Sequence, residues 1–151
     1  MTYSDSTRPH VLIVSDDAGL ATFLTEGLMV AGFWTSTIAS ALQALEVFRL
    51  RTFDLIIVDA ALQGLGAIEF LTRLRGKQRS TGVPLSDRPV IVIAESSREM
   101  TDAEATTSGA IGIVYAPFEI DELALALFTT VRAWRDAHPG APWADELAQQ
   151  K

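Results

Sequence analysis

The chain has 151 residues, 48% of them hydrophobic and 21% charged, the balance of one soluble globular domain rather than a disordered or fibrous chain. Twelve Lys and Arg against nineteen Asp and Glu leave a formal charge of −7, which argues against duplex nucleic acid as a partner. The sequence holds no Cys and only His10 and His138, so disulfides, thiolate catalysis and Cys-based zinc sites are excluded, and a histidine metal cluster within one chain is not expected.

Residues 1–10 are polar and lack the apolar core of a signal peptide. They read as a flexible lead, and no apolar stretch approaches the ~20 residues of a membrane helix. A reducing, cytoplasmic setting is the expectation. Val11–Val14 is the first run dense in β-branched residues. After Asp17, Leu20, Phe23, Leu24, Leu28 and Met29 share a helical face, and Gly32 is placed to end that helix. Phe33–Ile38 reads as an edge strand, and Ser40 as the N-cap of a helix striped by Leu42, Leu45 and Phe48.

Leu55–Val58 is the third strand, followed by a helix marked by Ile68, Leu71 and Leu74. A long polar loop, Gly76–Arg88, precedes the strand Val90–Ile93. Arg98–Ser108 is a weakly amphipathic helix ending at Gly109, and Ile111–Tyr115 the last strand. The clearest helix carries Ile120, Leu123, Ala124, Leu127, Phe128, Val131 and Trp134 at steps of three and four. Trp134 is expected in the core. Pro139, Gly140 and Pro142 end the domain, leaving residues 138–151 as a tail in which Trp143 either folds back or meets a partner.

The runs are continuously apolar rather than alternating, which suits strands buried on both faces of a parallel sheet. Repeated strand-helix alternation with right-handed crossovers gives an α/β three-layer, doubly wound, five-stranded parallel sheet over residues 11–137. Ligands of such sheets bind beyond the C-terminal strand ends. Those ends hold Ser15, Asp16 and Asp17, then Asp59, then Ala94, Glu95 and Ser96, and finally Ala116 and Pro117. If the first and third strands are neighbours, Asp16 and Asp59 approach each other and favour a hard cation such as Mg²⁺.

The stretches Val-Leu-Ile-Val-Ser-Asp-Asp (11–17), Phe-Asp-Leu-Ile-Ile-Val-Asp (53–59) and Gly-Ala-Ile-Gly-Ile-Val-Tyr-Ala-Pro-Phe (109–118) resemble the receiver domain of bacterial two-component response regulators. The resemblance implies a flavodoxin-like sheet in the order 2-1-3-4-5. It makes Asp59 the acceptor of a phosphoryl group from a histidine kinase, Asp16 a direct Mg²⁺ ligand and Ala61 a carbonyl ligand. It also exposes departures. Ser15 stands where the family has the first of two acids, Ala94 where it has a switch hydroxyl, Ile113 where it has a switch aromatic, and Ala116 where it has a lysine. Gln63 replaces the usual Pro, and Gly66-Ala67 the usual Asp-Gly.

Without the lysine and hydroxyl, phosphoryl binding is expected to weaken and to lose its coupling to conformational change. The expected function is therefore an atypical receiver working through protein contacts, with a competent phosphoacceptor on Asp59 as the alternative. Expected partners are a histidine kinase or another signalling protein. A homodimer would use the face of Arg98–Ser108, Ile111–Tyr115 and Asp121–Arg135. Several residues carry simpler readings. Asp17 is a helix cap, Glu95 a solvated acid, and Arg73, Arg75, Lys77 and Arg79 cations complementing a helix dipole. Ser15 is no catalytic serine, since neither histidine is placed as its base.

A small Mg²⁺-dependent phosphohydrolase would need an Asp-x-Asp pair and a later lysine. Asp59-Ala60-Ala61 and Ala116 supply neither. A flavin site would need a Gly- and hydroxyl-rich phosphate loop after the first strand, where Asp16-Asp17 stands instead. A receiver-like domain of about 120 residues, near the usual domain size, would leave no room for an output domain.

Overall fold

A computed structural model of the chain describes residues 8–148. Five strands alternate with helices: β1 (His10–Val14), α1 (Ala18–Ala31), β2 (Trp34–Ile38), α2 (Ala41–Val47), β3 (Leu55–Asp59), α3 (Ala67–Arg75), β4 (Val90–Ala94), α4 (Asp102–Ser108), β5 (Gly112–Tyr115) and α5 (Ile120–Ala137). A short α6 (Ala144–Ala148) follows. The strands form one sheet in the order β2-β1-β3-β4-β5, all neighbours parallel.

Alternate residues of each central strand enter opposite cores. Leu12, Val14, Ile56, Val58, Val90 and Val92 face α2, α3 and α4. Val11, Ile13, Leu55, Ile57, Ile91 and Ile93 face α1 and α5. This double burial is why the sequence shows unbroken apolar runs there. Edge strand β2 is only partly buried, which fits its Thr- and Ser-containing sequence. Gly27 lets α1 lie against α5, because a Cβ there would collide with Ile120.

Several boundaries differ from the sequence expectation. The polar lead ends earlier than residue 10: Pro9 is buried and His10 opens β1, while residues 1–7 lie outside the described part. The fourth helix begins at Asp102 rather than Arg98. A capping box fixes that start, with Thr101 accepting from the Glu104 N–H and Glu104 accepting from the Thr101 N–H. Ile111 precedes β5 and is half exposed, although its N–H still donates to Val90 O at 2.8 Å. Leu42, Ile68, Phe23 and Met29 share the helical stripes but reach the surface. The long loop is folded, with a Lys77–Pro84 antiparallel bridge and a Gln78 N–H donating to Val83 O at 2.9 Å.

The tail docks. Trp143 packs against the α1/α5 core with the Arg135 guanidinium 3.7 Å from its ring centroid. The Ala144 N–H donates to Asp54 Oδ1 at 2.9 Å, and Arg88 donates to Pro142 O at 2.8 Å. The ordered body thus runs past residue 137. Trp134 is half-buried rather than a core residue. Its indole N–H needs an acceptor and finds Asp87 O at 3.0 Å, while the ring stacks on His138 and receives Arg88 at 4.2 Å.

Asp54 collects three donors at the foot of β3: the His10 N–H (2.8 Å), the Ala144 N–H (2.9 Å) and Arg88 Nη1 (3.4 Å). Both side chains of the Asp54–Arg88 pair are almost inaccessible, and burial raises the Asp54 pKa despite these partners. Removing one member of such a pair strands the other charge. Asp54→Ala is therefore expected to cost about 3–5 kcal/mol in urea unfolding, against a typical domain stability of roughly 5–15 kcal/mol. A loss below about 1 kcal/mol would show that the pair is not the fastening of the tail.

The His10 ring is held neutral. Nδ1 takes a hydrogen bond from Arg51 (3.1 Å), so Nε2 carries the proton toward Ser36 Oγ (2.8 Å). Burial first, and Arg51 second, lower its pKa from 6.5 to about 4. Between those two pH values the unfolded chain binds more protons, so stability present above the upper value is lost as pH falls toward the lower one. Thermal melts are expected to show a falling midpoint over this interval, and a shallower fall in His10→Gln. Identical slopes for the two chains would remove His10 from the account.

Candidate functional site

The C-terminal strand ends meet at a cavity of about 350 Å³ lined by Asp16, Asp17, Leu20, Asp59, Ala61, Gln63, Ile93, Ala94, Glu95, Glu99, Ala116 and Phe118. Residues from four strand ends arrive here because the parallel sheet points all of them the same way. Asp59 is the last residue of β3, and both it and Ser15 are buried. The Ser15 hydroxyl donates to Asp59 Oδ2 at 2.7 Å, and the Ala61 N–H donates to Oδ1 at 2.9 Å. Ser15 Oγ itself accepts the Asp17 N–H at 3.1 Å. Asp17 caps α1 by accepting from the Leu20 N–H at 3.1 Å, as its position after the first strand predicts.

Asp16 Oδ2 accepts the Gln63 N–H at 2.9 Å, and the Gln63 side-chain amide donates to Ala61 O at 3.2 Å. The loop after β3 is thereby tied to the loop after β1. Five carboxylates line the cavity, those of Asp16, Asp17, Asp59, Glu95 and Glu99, and among the described residues no Lys, Arg or His does. Ala94 and Ala116 present only methyl groups to it, and their backbones are joined by the Ala116 N–H donating to Ala94 O at 2.9 Å. A phosphoryl group would meet no cation among the lining residues.

The sequence-derived residues Asp16, Asp59, Ala61, Ala94 and Ala116 therefore share one cavity, and Ser15 joins through Asp59. Ile113 does not line it; the side chain packs against the α2/α3/α4 core. Glu95 lines the cavity, and its N–H is held by the Glu99 carboxylate at 3.1 Å. Glu99 escaped the sequence reading, which took that stretch as helix. Gln63 was visible only as a departure from Pro, and the reach of its two donors follows from the loop fold.

A second set of contacts fixes α4. Tyr115 Oη donates to Met100 O (2.9 Å) just before the helix. At the other end, Arg75 donates through Nε and Nη2 to Gly109 O (3.1 and 2.9 Å) and through Nη1 to Ser86 O (2.9 Å). Gly109 ends α4 at φ 117°, and a Cβ there would press on the Arg75 side chain. The basic run thus does not form one patch. Arg75 is spent on the carbonyl that ends α4 and on one in the loop before β4, and Arg73 pairs with Glu69 at 2.9 Å.

Among the described residues, no group of three His, Cys, Asp or Glu side chains is arranged to hold a metal ion. No described helix is long and apolar enough to cross a membrane.

Comparison with known proteins agrees with this geometry. A family model described as the response regulator receiver domain matches residues 11–128. The transcriptional regulatory protein FixJ of Bradyrhizobium diazoefficiens is 25% identical over 95% of this chain and 66% of its own length. The DNA-binding response regulator MtrA of Mycobacterium bovis is 32% identical over 79% of this chain and 49% of its own. The chain thus spans about two thirds of FixJ and about half of MtrA. Among solved structures, the chemotaxis response regulator CheY4 of Vibrio cholerae superposes with a TM-score of 0.67 at 25% identity, covering 83% of this chain and 99% of that one.

Proposed function

Because the chain belongs to the response regulator receiver domain family, we propose that it is an atypical receiver that docks through its α4–β5–α5 face, with aspartyl-phosphate switching at Asp59 weakened or lost. Receiver domains are signalling modules rather than enzymes, and the family's partners include histidine kinases. One observation carries the reading: the crevice around Asp59 gathers five carboxylates without a cation and ends in methyl groups at Ala94 and Ala116. A phosphoryl group would add about −1.5 to −2 charges there. Stabilising it, and moving anything in response, requires contacts that differ between two states. Neither alanine can make them.

The pinned α4 supports the same reading. With Tyr115 holding its start and Arg75 its end, the face of α4, β5 and α5 is set without a ligand. That face is the proposed surface for a signalling partner or a second copy, on residues Arg98–Ser108, Ile111–Tyr115 and Asp121–Arg135. DNA binding belongs to the name of MtrA; the −7 charge of this chain favours a protein partner here. A cytoplasmic setting goes with that partner class. The competing reading, a competent phosphoacceptor, draws on the position of Asp59 at the end of β3 in an open cavity.

Receiver domains typically bind Mg²⁺ at the phosphorylation site. That ion would have to share oxygens the protein already uses, because Asp16 Oδ2, Asp59 Oδ2 and Ala61 O each accept a hydrogen bond from the protein.

Beryllofluoride titration with Mg²⁺, followed by backbone amide NMR, separates the readings. The expected result is no saturable shift in α4, β5 or α5, and no stable mass gain on Asp59 from acetyl phosphate. The double variant Ala94→Thr/Ala116→Lys is expected to bind beryllofluoride at least about tenfold more tightly, the scale of one charge-assisted hydrogen bond. Stable modification of the unaltered chain with shifts across that face would establish the competent phosphoacceptor instead.

A further inference from the structure

We infer that Ser15 and Gln63 stand in for the metal ion: they are positioning residues that hold Asp59, Asp16 and the Ala61 carbonyl in a built arrangement without a cation. The inference rests on the receiver reading of this crevice and deepens it. Three oxygens would face a cation between the first and third strand ends. Each receives a protein donor instead, from the Ser15 hydroxyl to Asp59 Oδ2 (2.7 Å), from the Gln63 N–H to Asp16 Oδ2 (2.9 Å) and from the Gln63 side-chain amide to Ala61 O (3.2 Å).

Two of these donors come from side chains at positions where the family has other residues. An acid in place of Ser15 could not donate when ionised, and a proline in place of Gln63 has neither a side-chain amide nor an N–H. The donors are also oriented. The Asp17 N–H occupies a lone pair of Ser15 Oγ at 3.1 Å, which leaves the hydroxyl proton free to point at Asp59. Asp59 is 6% exposed and Ser15 5%, so solvent does little to replace that contact.

A buried carboxylate needs its lone pairs satisfied whatever the source. Here the source is the chain itself. A cation that entered would compete with the hydroxyl and the amide for the electron density of these oxygens, and so would bind against a contact the protein already makes. Mg²⁺, which sheds its own water reluctantly, is poorly suited to such a competition.

The test measures unfolding temperature and Mg²⁺ affinity by calorimetry for the full chain, Ser15→Ala, Ser15→Ala/Gln63→Ala and Ser15→Asp. The unaltered chain is expected to melt at the same temperature in chelator and in millimolar Mg²⁺. The double variant is expected to melt lower in chelator, to recover with Mg²⁺, and to bind the ion about tenfold more tightly than the unaltered chain. A purely structural hydroxyl would lower the melting temperature without making it metal-dependent. Ser15→Ala alone carries the test if the double variant does not fold, with the same direction and a smaller gain.

Mg²⁺ stabilising the unaltered chain as much as the variants, or binding the variants no more tightly, overturns the inference. Ser15→Asp is the separate control for the receiver reading. If it too binds no Mg²⁺, the crevice is no receiver metal site, and the premise fails together with the inference.

Discussion

The sheet is buried on both faces, and most of the molecule follows from that single constraint. Central strands flanked by helices above and below admit almost no polar side chain along their length. Val11–Val14, Leu55–Val58 and Val90–Ile93 obey this fully. Polar groups are driven to the strand ends, and because the strands are parallel, all leading ends are gathered on one side and all trailing ends on the other. The crevice at Asp59 and the Asp54–Arg88 cluster are the two outcomes, one at each end of β3.

The two ends treat buried charge differently. At the foot of the sheet, Asp54 is offset by a guanidinium and two backbone N–H groups. At the head, Asp59 is offset only by neutral donors, a hydroxyl and a backbone N–H. Neutral donors are enough for one carboxylate in place but supply no reserve of positive charge. The foot holds its elements together through an ion pair, while among the described residues the head holds its carboxylate through neutral donors.

The core strands and the strand-end acids were legible because they depend on local runs and on topology alone. Asp16, Asp59, Ala61, Ala94 and Ala116 could be grouped from spacing and family resemblance, and they do share a cavity. What escaped was set by contacts distant in sequence. Nothing near Arg75 indicates that it will end on Gly109 O, 34 residues on, and a cation in the last turn of a helix reads as a partner of that helix's dipole until its contacts are known. The tail was opaque for the same reason. Pro139, Gly140 and Pro142 correctly mark the end of a helix, but the anchor that brings the chain back, Asp54, lies 90 residues before Ala144. Trp134 followed the apolar stripe of its helix, yet its N–H drew it to the margin, where a carbonyl was available.

The placement of the indoles has an optical consequence. The sequence contains three tryptophans. Trp134 and Trp143 both sit in the tail cluster, close to the guanidinium groups of Arg88 and Arg135, and Trp34 lies on edge strand β2. None lines the Asp59 crevice. The intrinsic emission of this chain is therefore a gauge of the foot of the sheet. It would brighten or dim as the tail detaches, and no tryptophan reports on the Asp59 end of the sheet.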